Sequence, residues 1–300
     1  MPVLHLEITN TKAMKKVLVP VDFSEESVNA FRFAVDLAAK SGGTIGLLHV
    51  IALPVLHDAP LISLQGLRKP LIDELKTLAT ERLIRLVDEF NGEGVKVQVQ
   101  VLISHHIHRT ITDLIKQENF DIVVMGTKGV SGIREWMVGS NAEKIVRTSP
   151  VPVVAVKQYT PVRQIKNIVF PNTLDTENQE DLVMKVKALQ NFFQARLHII
   201  WINTPTVFKP DRVIREQLKA FAQRYMLKDY TINVFNYSNE EAGILEYTRQ
   251  NNGDLIAMGT QGLKGLAHLL SGSIAEDVVN HVEYPVWTYC TKSAMEIHNA

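Results

Sequence analysis

GTKGVSGIREWMVGSN at residues 126–141 and GTQGLKGLAHLLSGSI at residues 259–274 carry their glycines at the same intervals. Glycine weakens regular structure, so one spacing used twice needs a physical reason. Working outward from these stretches, FDIVVMGTKG (120–129) is echoed by GDLIAMGTQG (253–262), and VLVPVDFS (17–24) by IVFPNTLD (168–175). TIGLLHVI (44–51) is echoed by RLHIIWIN (196–203), and SPVPVVAV (149–156) by VEYPVWTY (282–289). The echoes keep their order and separations, so the chain reads as a tandem duplication of a unit of about 140 residues. The expected domains are 15–158 and 163–292, joined where QYTPVR places Pro161 between two strand-like runs. Residues 1–14 have no counterpart in the second unit and read as a tail or a small added strand.

Within each unit, short apolar runs alternate with helical patterns. KKVLVPV (15–21) is a strand, Ser24 an N-cap, and the following stretch toward Lys40 a helix. After the TIGLLHVI strand and a loop holding Pro54 and Pro60, a helix is expected from about Pro70 to Phe90, with Leu71, Leu75, Leu78, Leu83 and Leu86 as its core stripe. VKVQVQVLI (95–103) alternates as an edge strand does. A helix over 107–118 leads to DIVVMG (121–126), an uninterrupted apolar strand of the kind buried on both faces. A helix from about Ser140 and the VPVVAV strand (151–156) close the unit. Strands alternating with helices imply a mainly parallel α/β sheet with right-handed crossovers.

Three hundred residues, 46% of them hydrophobic, can fill two cores. The 32 basic and 32 acidic residues balance, which predicts neither nucleic acid nor an acidic membrane face as the main partner. The single cysteine, Cys290, excludes an intrachain disulfide and a thiolate metal cluster. No apolar run approaches the roughly 20 residues that span a bilayer. Glu7, Thr9 and Asn10 interrupt any signal-peptide pattern at the N-terminus, so the expected location is cytoplasmic.

In an open parallel sheet, ligands collect beyond the carboxyl ends of the strands. Pro20-Val21-Asp22, His49-Val50 and Met125-Gly126 all end there. Gly126 and Gly129 let backbone N–H groups approach an anion with no Cβ in the way. Gly139 and Ser140 open the next helix, where unpaired N–H groups and the helix dipole favour phosphate. Asp22 offers a carboxylate to ribose hydroxyls. A second reading stands beside this one, in which the glycines only form turns and Asp22 is only a cap for the helix near Ser24. The spacing G-x2-G-x9-G-S lacks the lysine of a P-loop and differs from G-x-G-x-x-G.

With VLVPVDFSEES, LLHVI, DIVVMGTKG and GSNAEKIVRTSPVPVVAV in place, the chain resembles the universal stress protein (UspA-like) family in its tandem two-domain form, over nearly everything from Lys15 to Tyr289. The resemblance implies Rossmann-like (adenine nucleotide alpha hydrolase-like) domains with strand order 3-2-1-4-5, paired through their final strands. It also implies ATP or another adenine nucleotide as ligand, with magnesium as an optional companion ion. By position, Pro20, Asp22, Val50 and Met125 would surround base and ribose, and Gly126, Gly129, Gly139, Ser140 and Asn141 would hold the phosphates.

The second unit keeps the loop as Gly259, Gly262, Gly272, Ser273 and Ile274, but places Thr173 where Asp22 stands and Trp201 and Ile202 where His49 and Val50 stand. Thr173 supplies no charge, so weaker nucleotide binding, a different ligand or none is expected there. His105, His106 and His108 could ligate a metal, but no helical i, i+4 pair or acidic neighbour completes a set, and exposed loop histidines are the preferred reading. No catalytic residue is assigned, because the loop has neither a Walker lysine nor a general base beside it. The functional expectation is a nucleotide-responsive stress protein with unidentified protein partners; slow ATP hydrolysis and a nucleotide-free scaffold are the alternatives. Whether two chains form a homodimer stays open.

Overall fold

The structure, a computed structural model, describes residues 14–52, 65–92, 94–127, 140–174, 179–260, 278–279 and 283–290. The first unit runs β1 (Lys16–Pro20), α1 (Glu25–Ser41), β2 (Thr44–Ala52), α2 (Gln65–Phe90), β3 (Lys96–Ser104), α3 (Ile107–Glu118), β4 (Ile122–Gly126), α4 (Ser140–Thr148) and β5 (Val153–Val156). A 3-10 turn at Val162–Gln164 leads into β6 (Asn167–Pro171), α5 (Glu180–Phe193), β7 (Arg196–Asn203), α6 (Asp211–Arg224), β8 (Tyr230–Asn236), α7 (Glu240–Gln250), β9 (Leu255–Thr260) and β10 (Val286–Cys290). The strands form one ten-stranded sheet in the order β3-β2-β1-β4-β5-β10-β9-β6-β7-β8. Each half is therefore ordered 3-2-1-4-5 and parallel. The halves meet antiparallel where Val286, Trp287 and Thr288 face Ala155, Val154 and Val153.

The two halves repeat each other down to single hydrogen bonds. Asp121 accepts the backbone N–H groups of Lys15 and Lys16 at the foot of β1, and Asp254 accepts those of Lys166 and Asn167 at the foot of β6. Where the halves diverge, they do so by complementary volume. A Cβ on Gly46 would lie 2.6 Å from the Phe120 ring. In the second half, His198 takes the Gly46 register and Gly253 precedes Asp254 where Phe120 precedes Asp121. His198 lies within hydrogen-bonding distance of Asn167 (3.2 Å), Thr231 (3.2 Å) and Tyr247 (3.3 Å), and burial lowers its pKa, keeping the ring neutral.

On one face of the sheet, α1, α2, α5 and α6 cover a single apolar cluster that crosses the junction, from Val17 through Val154 to Trp287 and Tyr289. On the other, α3 and α4 cover Leu18, Val123 and Met125, and α7 covers Val169, Ile200 and Ile256. The expected leucine stripe of α2 is corrected in its first half. Leu83 and Leu86 are buried, but Leu71, Leu75 and Leu78 are 56%, 38% and 50% exposed. The helix starts before Pro70, at Gln65, and its 26 residues span about 39 Å, against about 30 Å for the nine residues of β2. Its first half therefore has no sheet beneath it, and Ala79 is its first buried residue from Lys69 onward. Residues 1–13 and 175–178, the stretch just before α5, lie outside the described residues.

Candidate functional site

β1 lies between β2 and β4, and the helices after β1 and β2 cover one face while those after β3 and β4 cover the other. The chain thus changes face between β1 and β4, and their carboxyl ends flank a crevice of the kind that receives ligands in open α/β sheets. Pro20, half-buried, ends β1; Met125, buried, and Gly126, half-buried, end β4; Val50, half-buried, lies near the end of β2. Val50 and Met125 belong to the cluster under α3 and α4. Val21 departs from this arrangement: its side chain is 4% exposed in the opposite cluster, under α1 and α2, and only its backbone borders the crevice. Ser140 and Asn141 open α4. Gly129 and Gly139, like Gly262, Gly272, Ser273 and Ile274 of the second unit, lie outside the described residues.

Asp22 is exposed at the mouth of the crevice, and its Oδ1 accepts both the backbone N–H (3.0 Å) and the hydroxyl of Ser24. Ser24 in turn caps α1 by accepting from the Ser27 N–H. The cap role and the ribose role are compatible, because a carboxylate has acceptor positions for several donors. This turn forces Phe23 to φ 65°, a left-handed conformation that costs a non-glycine residue about 1 kcal/mol or more.

The second unit makes the same turn with different chemistry. Leu174 takes φ 58°, and Asn172 N–H donates to the Ile200 carbonyl as Val21 N–H does to Leu48, which places Thr173 in the position of Asp22. Here the turn is held from one residue earlier, by Asn172 Oδ1 accepting the Leu174 N–H (2.7 Å), while Asn172 Nδ2 donates to Gln179. Trp201 is buried with no hydrogen-bond partner for its Nε1 among the described residues, and the Lys209 ammonium lies 4.8 Å from its ring centre. Buried Asn203 bonds Lys209 and Asn236, so this end of β7 is occupied by the protein's own side chains.

The rims differ in charge as well. The start of α3 carries His106, His108 and Arg109, and α4 adds Lys144. Burial lowers the His108 pKa, as do the charges of Lys144 and Arg109. The matching start of α7 carries Glu240 and Glu241, with Glu240 pushed up by burial. The helix start at the first rim is thus basic and the matching one at the second acidic, although the first turn of α4 also carries Glu143. His105 and His106 are exposed, and no group of three metal-capable side chains occurs among the described residues.

Gly126 has a reason that sequence did not supply. A Cβ there would lie 2.5 Å from the backbone of Glu26 and Ser27, in the first turn of α1. At Gly259 it would lie 2.7 Å from Leu182 Cδ2, the far end of a flexible side chain. Gly126→Ala is therefore expected to cost about 1–3 kcal/mol and Gly259→Ala under about 1 kcal/mol. Urea unfolding of the two variants measures both, and equal costs would contradict the backbone-contact argument.

Two regions of the chain, 14–157 and 165–289, each match the family model described as the universal stress protein family. The chain belongs to the universal stress protein family. A family member from Synechocystis sp. is 24% identical over 300 residues, covering 92% of this chain and all of that one. One from Methanocaldococcus jannaschii is 29% identical over 155 residues, 48% of this chain and 95% of that protein, so it matches a single unit. In three dimensions, the crystal structure of a universal stress protein from Archaeoglobus fulgidus superposes with a TM-score of 0.71 at 22% identity, over 93% of this chain and 99% of that one. That likeness concerns the fold. Among the described residues no helix is long and apolar enough to cross a membrane.

Proposed function

We propose that this family member binds ATP or a related adenine nucleotide in its first unit and uses that occupancy to regulate a stress response. One observation carries the reading: an exposed carboxylate, Asp22, stands at the end of β1 beside Gly126 at the end of β4, where the chain changes face. The basic rim of α3 and α4 supports a phosphate chain on the same side. Pro20, Val50 and Met125 would meet the base and ribose, with the Val21 backbone beside them. Gly126, Gly129, Gly139, Ser140 and Asn141 would hold the phosphates, and magnesium would enter with the triphosphate. The working boundaries are 15–158 for the binding unit and 163–292 for a unit whose role is to pair with it. The glycines Gly259, Gly262 and Gly272, with Ser273 and Ile274, then close the second fold without taking nucleotide. Partners would be a nucleotide and cytoplasmic proteins, with any ATP hydrolysis slow.

Calorimetric titration of nucleotide-stripped protein with ATP tests this. One site per chain is expected. No heat at millimolar ATP would sink the reading and leave a nucleotide-free scaffold; two equivalent sites would overturn the division between the units.

A further inference from the structure

The residues on either side of Asp22 are each held from a distant element. The Val21 carbonyl lies 2.7 Å from His49 Nδ1, which must carry the proton and donate. The Phe23 ring lies 4.7 Å from the His49 ring and 3.9 Å from the Arg82 guanidinium, measured to ring centres. Arg82 is exposed on α2, one turn before the buried Leu86 that fastens this half of the helix to the core. A guanidinium over an aromatic ring is attractive, and here it acts on the one residue of the loop in an unfavourable left-handed conformation.

From this geometry we infer that Arg82 is a positioning residue of the nucleotide site: with Phe23 and His49 it clamps the β1–α1 turn so that the Asp22 carboxylate is preset for a ribose. The inference rests on the nucleotide reading of that crevice. The second unit supports it by contrast. There the position of Phe23 is Leu174, which offers no ring, and the position of His49 is Trp201, whose Nε1 has no hydrogen-bond partner among the described residues. Its cation, Lys209, sits over Trp201 rather than over the turn. The unit that lacks the carboxylate also lacks the clamp.

The test combines Arg82→Ala, Arg82→Lys and Asp22→Ala. Arg82→Ala is expected to weaken ATP binding about fivefold, and Arg82→Lys by less than about twofold, because an ammonium still attracts the ring. In an Asp22→Ala background, Arg82→Ala is expected to cost nothing more, since no carboxylate is left to position. Additive losses, or unchanged binding in Arg82→Ala, would overturn the inference. A second readout needs no nucleotide: hydrogen exchange of the Ser24 amide, which donates to Asp22, should rise about fivefold in Arg82→Ala and stay unchanged in Leu78→Ala. If the wild type binds no ATP, the nucleotide reading fails, and the Ser24 amide still decides the clamp. Unaltered exchange there overturns it.

Discussion

Asp22→Asn is expected to weaken ATP binding about 10- to 30-fold while changing unfolding free energy by less than about 0.5 kcal/mol. The separation is possible because the carboxylate does two things with separable requirements. Its Oδ1 holds the turn by accepting from Ser24, and an asparagine oxygen in the same place can accept the same two bonds, each weaker for lack of the charge but at an exposed position where that difference is small. The ligand loses more: hydrogen bonds to a charged acceptor contribute roughly twice what neutral ones do, and a bound ribose held by the carboxylate would lose that difference inside the crevice. Asp22→Ala removes both functions. About 100-fold weaker binding and about 1 kcal/mol of lost stability are expected, the latter of the size seen for broken helix caps. The reverse change, Thr173→Asp, should not create a second site, because Asn172 already holds that turn and the facing rim carries Glu240 and Glu241. Calorimetry gives the affinities and the stoichiometry, and urea unfolding the stabilities. Asp22→Asn binding as tightly as the wild type would remove the carboxylate from the site.

What sequence pattern could and could not reveal divides along a physical line. The helix over about 107–118 is readable from sequence, and β3 is readable as an edge, because both rest on periodicities local to the chain. The strand order 3-2-1-4-5 is implied by the family resemblance, and the duplication applies it to both halves. Leu71, Leu75 and Leu78 misled because periodicity identifies a face but not whether anything covers it. The role of Gly126 was hidden because its constraint comes from the backbone of Glu26, far away in sequence. For the same reason nothing in DFS announced that Arg82 on α2 would reach Phe23. At the site, the residue types were legible, but the backbone-only part of Val21 and the opposite charges of the two rims needed the fold.

Trp287→Ala is expected to cost about 3–5 kcal/mol, the largest stability loss predicted for this chain. Among the described residues Trp287 heads the fully buried side chains by volume, and it stands in β10, the strand by which the second half joins the first. Its backbone pairs with Val154 across the junction, and its ring stacks at 6.2 Å on Tyr289, whose hydroxyl donates to Asp181 in α5. Because one apolar cluster runs through this point from Val17 to Tyr289, the cavity would weaken both halves at once. Each kcal/mol lowers Tm by about 2–4 °C in a chain of this size class. The loss should also change the shape of the transition. The wild type, with a shared core and a continuous sheet, is expected to unfold in one step, and the variant in two, as the halves lose the side chain that couples them. Leu78→Ala, on the exposed half of α2, should stay within about 0.5 kcal/mol and keep the single step. Calorimetric scans of both variants check this, and a Trp287→Ala chain that still melts in one step would mean that the backbone pairing of β5 with β10 couples the halves without its help.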